Sequence, residues 1–371
     1  MPEEKVVDVM WDDSPVDVSA EVNFIWSIAN KLRGPYRSDK YKDVIIPMTI
    51  IRRFECALAP TKQKVVEQFK ANPNFPAKAM YRISGFQFYN TSEFDLAELV
   101  NDADHIAANF KSYLQGFSAN VLEILMSKER GLNFGEEIDK MDKNNRLLSV
   151  IKAFSELDLN PRTIDNVKMG YIFEELIRRF NEENNEEAGE HFTPRDAVEL
   201  MADLIIMPIA DQLKDGTYTC YDGACGTGGM LTIAEKRLEE LATQQGKQLS
   251  IHLFGQEINP ETYAITKADM LLSGEGEQAE HMGFGSTLSA DAFPARQFDF
   301  MLSNPPYGKS WKVDQDKLGG KKGIQDTRFV TQFADDPEYK MLPRSSDGQM
   351  LFLLNNIAKM KHSTALGSRI A

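Results

Sequence analysis

The run Asp299-Phe300-Met301-Leu302-Ser303 ends abruptly in Asn304-Pro305-Pro306-Tyr307. Its apolar half reads as a short buried strand, and two consecutive prolines forbid its continuation as ladder or helix. The chain therefore leaves a sheet in a stiff, extended conformation and presents an amide, a carbonyl and an aromatic ring together. Asn304 Oδ1 and the main-chain carbonyl of Ser303 or Pro305 can accept both hydrogens of a planar amino group, while Tyr307 stacks on the ring that bears it. Those hydrogen bonds return electron density to a weakly nucleophilic nitrogen, which can then attack an electrophilic methyl group. Standing alone, Asn-Pro-Pro-Tyr is equally well a turn after a strand. The chemical reading requires a methyl donor elsewhere in the chain.

The elements upstream supply a place for one. Thr217-Tyr218-Thr219-Cys220-Tyr221 is rich in strand-forming residues and leads into Asp222-Gly223-Ala224-Cys225-Gly226-Thr227-Gly228-Gly229. A helix follows with Leu231, Ala234, Leu238 and Leu241 on one side. Strand, glycine loop and helix in that order open a doubly wound α/β sheet, and the glycines let the backbone approach a ligand where a Cβ would collide. A phosphate-binding loop is excluded because no Gly-Lys-Ser/Thr closes the glycine loop at 223–229. A dinucleotide fingerprint has different glycine spacing, and Asp222 would repel a pyrophosphate. A cofactor without phosphates and with a positive centre fits better.

Ile251-His252-Leu253-Phe254-Gly255 reads as the second strand and ends in Gln256-Glu257, an acid placed to accept hydrogen bonds from ribose hydroxyls. Residues 286–293 read as a third short strand ending near Asp291, whose carboxylate is positioned for an adenine amino group. The fourth strand runs into Asn304. Each candidate group thus follows the C-terminal end of a strand, where open parallel sheets bind ligands.

Ahead of this set lies Glu190-His191-Phe192-Thr193-Pro194-Arg195-Asp196. Thr193 reads as a helix N-cap, Pro194 as the first helical residue and Asp196 as the closing member of a capping box. A ring beside a helix N-terminus suits the amino-acid end of a cofactor, its carboxylate toward free N–H groups. Residues 1–18 are acidic and carry two prolines, which suggests a loose arm. From Val22 onward apolar residues recur at helical spacing, with breaks at Gly34-Pro35, Pro60, Pro73 and Pro76, and no sustained alternation appears before residue 160. That part is expected to be an all-helical structural or interaction module.

A chain of 371 residues suggests two domains, and its 42% hydrophobic and 26% charged residues are ordinary for a globular protein. No signal peptide is expected, and no stretch reaches the ~18 uninterrupted apolar residues of a membrane helix. Cys56, Cys220 and Cys225 lack the spacing of a disulfide framework or zinc site. A cytoplasmic protein is the expectation. The net charge of −14 runs against a free-standing duplex binder, because neutralising phosphates supplies most of such a protein's affinity. If the substrate is DNA, a hidden basic face or, preferably, another subunit must grip it.

Taken in order, His191-Phe192-Thr193-Pro194, the loop Asp222–Gly229, Glu257, Asp291 and Asn304-Pro305-Pro306-Tyr307 resemble the motifs of S-adenosylmethionine-dependent adenine-N6 DNA methyltransferases. The helical N-terminal part, with Leu32-Arg33-Gly34, Tyr41-Lys42 and Arg52-Arg53-Phe54, resembles the modification subunit of type I restriction-modification systems. The resemblance covers essentially the whole chain. It implies a helical interaction domain over 1–160 and a Rossmann-like, doubly wound α/β methyltransferase domain over 161–371. It implies that Glu190, His191, Phe192, Thr193, Pro194 and Arg195 hold the methionine end of the cofactor. Asp222, Gly223, Ala224, Cys225, Gly226, Thr227, Gly228 and Gly229 would wrap its sulfonium, with Glu257 on the ribose and Asp291 on the adenine. Asn304, Pro305, Pro306 and Tyr307 would hold a flipped-out base. Cys225 is expected to line the loop rather than act as a nucleophile, since the Pro-Cys pair of cytosine-C5 chemistry is missing.

The implied partners are DNA, a DNA-specificity subunit and a restriction subunit with endonuclease and translocase activity. The sheet's later strands are expected beyond Arg369, so the chain reads as C-terminally truncated and open to self-association at a strand edge. Two other readings stay open. One is methyl transfer to an amide nitrogen of protein or RNA; the other is a cofactor-binding assembly subunit without turnover.

Overall fold

A computed structural model describes residues 16–183, 193–273, 276–333 and 336–371. Glu190, His191, Phe192 and most of the N-terminal arm lie outside the described residues. Packing divides the described residues into two compact units: those of 16–183 with those of Pro260–Glu280, and those of Thr193–Asn259 with those of His281–Ala371.

The first unit is helical, as the spacing of its apolar residues requires. Its central helix, Lys42–Leu58, buries nearly every side, including Phe54 and Arg53, which is 2% exposed. Burying a guanidinium is costly unless hydrogen bonds compensate it. Arg53 Nη1 donates to the carbonyls of Leu159 (2.7 Å) and Ile164 (2.6 Å), and Nη2 to Asn166 Oδ1 (2.9 Å). Asn166 Nδ2 in turn donates to the Leu272 carbonyl at the end of helix Pro260–Leu272. Arg53, conspicuous in the sequence, therefore holds the helical unit together. Phe54, Phe88 and Phe117 pack as tilted rings around the same helix.

The second unit is built on a sheet. Its strands are β1 (Gly216–Asp222), β2 (Leu249–Glu257), β3 (Met282–Phe284), β4 (Phe300–Met301), β5 (Val330–Phe333), β6 (Asp336–Lys340) and β7 (Arg369–Ile370). Five of them form an all-parallel sheet in the order β3-β2-β1-β4-β7, and β5 and β6 make a separate antiparallel pair. The chain thus winds outward from β1 to β3, crosses back to β4 and continues to β7. The reversal leaves a crevice between β1 and β4, the switch point at which such sheets bind ligands.

The third strand differs from the sequence expectation. Met282–Phe284 forms it, and residues 286–293 are a series of turns. Ser286 Oγ accepts from the N–H groups of Leu288 and Ser289, and Asp291 Oδ1 accepts from the N–H of Phe293. These local side-chain bonds offer the backbone an alternative to a ladder.

On the sheet, Tyr221 and Phe298 stack at 4.5 Å beside Phe254 and Met301. A second apolar cluster, Leu288, Trp311, Ile324, Phe329 and Leu351, organises the segment after β4. This segment contains the short helices Lys312–Lys317 and Gly320–Gly323 and then the helix Gln349–Ala358. Among the described residues no helix is long and apolar enough to cross a membrane.

Candidate functional site

Asp222 is the last residue of β1 and is 1% exposed. Its Oδ1 accepts from the Ala224 N–H at 2.9 Å, which turns the chain into the glycine loop. Its Oδ2 is buried and finds no hydrogen-bond partner of ordinary geometry among the described residues; the same holds for Ser303 Oγ at the end of β4. Burial pushes the Asp222 carboxyl up to about 7, with a smaller push from Glu257, against the stabilising Ala224 N–H and nearby Ser303 hydroxyl. A buried, half-bonded carboxyl at a strand tip is costly for the fold and chemically poised for a cation.

The loop after Asp222 is shaped by close approach. A Cβ on Gly223 would come within 2.8 Å of the Tyr221 hydroxyl and 3.0 Å of Thr287 Cγ2. Gly226 (φ 52°) and Gly228 (φ 84°) adopt left-handed backbone, and nothing lies within 4 Å of a Cβ placed on Gly226. The loop is tied to β2 by Cys225 N–H on the Gln256 carbonyl (3.1 Å) and by Gly226 N–H on Glu257 Oε2 (2.9 Å). Glu257 Oε1 accepts from the Asn259 N–H at 2.7 Å. Cys225 is buried, and burial raises its thiol well above the usual range, so it is chemically quiet. Thr227 precedes Gly228, and Gly229 opens the helix Gly229–Gln244.

At the end of β4, Leu302 N–H donates to the Tyr221 carbonyl, which sets the two strand ends side by side. Pro305 is buried, Asn304 is exposed, and Tyr307 is 69% exposed. Asn304 Nδ2 donates to Thr193 Oγ1 at 3.0 Å. That contact corrects the expectation at Thr193. The helix begins at Arg195 with Pro194 before it, and neither a side-chain cap nor a capping box forms. Thr193 Oγ1 instead accepts from Asn304, and Asp196 Oδ1 accepts from the neighbouring Ala197 N–H.

Asp291 is held by groups distant in the sequence. Its carboxylate is 7% exposed, pairs with Lys359 Nζ (2.7 Å) and Arg328 Nη1 (3.4 Å), and also accepts from Phe293 N–H. Both oxygens are engaged. Lys359 and Arg328 come from segments far along the chain, so no local pattern announces them.

Ile258 escaped the sequence reading. It follows Glu257 and is 60% exposed, an apolar side chain standing open beside the acid at the tip of β2. The signal was present: a large aliphatic residue between the strand-end acid and the Asn259-Pro260 helix start has no packing role to fill.

A doubly wound parallel sheet carrying these groups at its switch point has the class I methyltransferase fold. The architecture matches the crystal structure of the type I restriction-modification system methyltransferase subunit from Streptococcus thermophilus with a TM-score of 0.58 at 19% identity, over 93% of this chain and 72% of that one. The chain belongs to the N-6 DNA methylase family, whose profile matches residues 165–367, and the HsdM N-terminal domain matches residues 22–154. It is 23% identical over 321 residues to the type I restriction enzyme MjaIX methylase subunit of Methanocaldococcus jannaschii, across 81% of this chain and 54% of that protein. It is 29% identical over 205 residues to the MpnII methylase subunit of Mycoplasma pneumoniae, across 51% of this chain and 34% of that protein. The chain thus spans about half the length of the Methanocaldococcus relative.

Proposed function

We propose that this chain transfers a methyl group from S-adenosylmethionine to the N6 amino group of adenine in DNA, as the modification subunit of a type I restriction-modification assembly. One observation carries the reading. In a chain of the N-6 DNA methylase family, the buried Asp222 carboxyl, one oxygen of which has no hydrogen bond of ordinary geometry among the described residues, and the exposed Asn-Pro-Pro-Tyr segment stand at neighbouring strand ends.

The residues fit the cofactor. Asp222 Oδ2 offers acceptor capacity to a cationic ligand, the left-handed turn at Gly226 leaves open space, and Ile258 offers an apolar surface for a flat ring. Bound there, S-adenosylmethionine would supply an electrophilic methyl group on a sulfonium. Asp222 would favour the positive end, and Glu257, which keeps acceptor capacity beyond its two backbone bonds, would take ribose hydroxyls. The adenine is assigned to the tip of β3 around Gly285, whose N–H donates to the Glu257 carbonyl. Glu190, His191, Phe192, Pro194 and Arg195 are proposed to flank the methionine end. With Nδ2 held by Thr193, Asn304 would present Oδ1, together with the Ser303 or Pro305 carbonyl, to the target amino group. Tyr307 would stack on the flipped base. Catalysis by these groups is positioning plus electrostatic complementarity at the nitrogen, with no covalent enzyme intermediate.

A specificity subunit would read and grip the duplex, and a restriction subunit would join for cleavage, which reconciles a DNA substrate with a charge of −14. The test is transfer of labelled methyl to duplex DNA with a specificity subunit present, followed by nucleoside digestion. Label in N6-methyladenine, lost in Asn304→Ala, is expected. Label in glutamine side chains of protein would overturn the substrate assignment.

A further inference from the structure

We infer that Arg328, on the segment beyond the Asn-Pro-Pro-Tyr motif, is a positioning residue that latches this segment to both loops assigned to the cofactor. The inference rests on the proposed S-adenosylmethionine site and concerns how that site is held. Arg328 is oriented by a two-pronged bond to Asp326, Nε to Oδ1 at 3.0 Å and Nη2 to Oδ2 at 2.6 Å. So fixed, the guanidinium points its remaining donors inward. Nη1 donates to the Thr287 carbonyl (2.7 Å) and to Asn355 Oδ1 (2.9 Å), and Nη2 to the Leu288 carbonyl (3.0 Å).

Both lines of contact end at the residues that flank Asp222. Thr287, 3% exposed, donates its hydroxyl to the carbonyl of Gly223, the residue after Asp222. Asn355, fully buried, donates Nδ2 to the hydroxyl of Tyr221, the residue before Asp222. The Tyr221 hydroxyl that Asn355 holds and the Thr287 side chain are the groups that a Cβ on Gly223 would strike. One planar cation thus braces the turn at the tip of β1 from two directions. It also holds the turns after β3 through two carbonyls and the Asp291 ion pair. Only a guanidinium reaches this set; an ammonium has three donors and no planar fork. The consequence is that the segment after the target-base motif sets cofactor affinity without touching the cofactor.

The experiment is calorimetric titration of the full chain with S-adenosylmethionine, reading both Kd and the number of competent sites. The variants are Arg328→Lys and Thr287→Val, the second removing only the hydroxyl donor to Gly223. The latch predicts wild-type binding, a Kd raised at least tenfold in Arg328→Lys, and a Kd raised roughly three- to tenfold in Thr287→Val, the equivalent of one lost hydrogen bond. Fewer competent sites at unchanged Kd would mark a merely structural role and overturn the inference. If Arg328→Lys does not fold, Thr287→Val decides, and a wild-type Kd there overturns it. Absence of binding by the folded wild type overturns the proposed cofactor site and the latch with it.

Discussion

Asp222 carries its proton to about pH 7 because it is buried, whereas in the unfolded chain it titrates near 3.8. Between those values the folded state binds the extra proton, so this residue's contribution to stability declines as pH rises from about 4 through about 7. A cationic ligand reverses the preference by favouring the carboxylate. Cofactor binding is therefore expected to release part of a proton near pH 6.5 and to tighten from pH 6 to 8. Titration in buffers of different ionisation enthalpy reads the released proton, and Asp222→Asn should abolish both effects. Thr193 yields a second expectation. Losing its hydroxyl frees the Asn304 amide, so Thr193→Val should slow methyl transfer about tenfold with cofactor Kd unchanged, and Thr193→Ser should restore the rate. Asp222 and Asn304 were readable in the sequence because each sits beside glycines or prolines that punctuate the chain. The partners of Asp291 were not, since Arg328 and Lys359 reach it only through the folded sheet. The hydroxyl of Thr193 was misassigned for a related reason: a cap is a local pattern, and the competing Asn304 lies 111 residues away.

Among the elements, the strand–glycine loop–helix unit at β1 and the acid at the end of β2 were legible because strand-forming residues there run into an acid, followed at β1 by glycines. β3 was displaced in the reading. Its residues, Met282-Gly283-Phe284, are too short a run to declare themselves, and the longer Ser286–Phe293 stretch folds back through side-chain turns. Helix Pro260–Leu272 shows another limit: eleven of its residues are buried, and it packs with helices Lys42–Leu58, Ala119–Met126 and Asn166–Glu183 of the helical unit. Nothing in its own periodicity announces that choice. The packed loop gives a prediction at this scale. Gly223→Ala must displace Tyr221 or Thr287, at a cost of about 1–3 kcal/mol in thermal or denaturant unfolding, and should weaken cofactor binding more than tenfold. Ile258→Ser, on an exposed side chain, should leave stability unchanged and weaken cofactor binding about tenfold by removing apolar surface from the site.

For the whole molecule, composition constrains the partner more than the fold does. A chain with 56 acidic and 42 basic residues has little to offer phosphates on average. The account predicts weak duplex binding by the chain alone, and a much steeper salt dependence once a specificity subunit is added, measurable by fluorescence anisotropy across salt concentrations. The measurement that bears most directly on the central claim is calorimetric titration with S-adenosylmethionine of the wild type, Asp222→Ala and Asn304→Ala side by side. The account predicts that the wild type binds, that Asp222→Ala does not, and that Asn304→Ala binds as the wild type does, separating the cofactor site from the base site. A folded wild type that takes up no cofactor would contradict it.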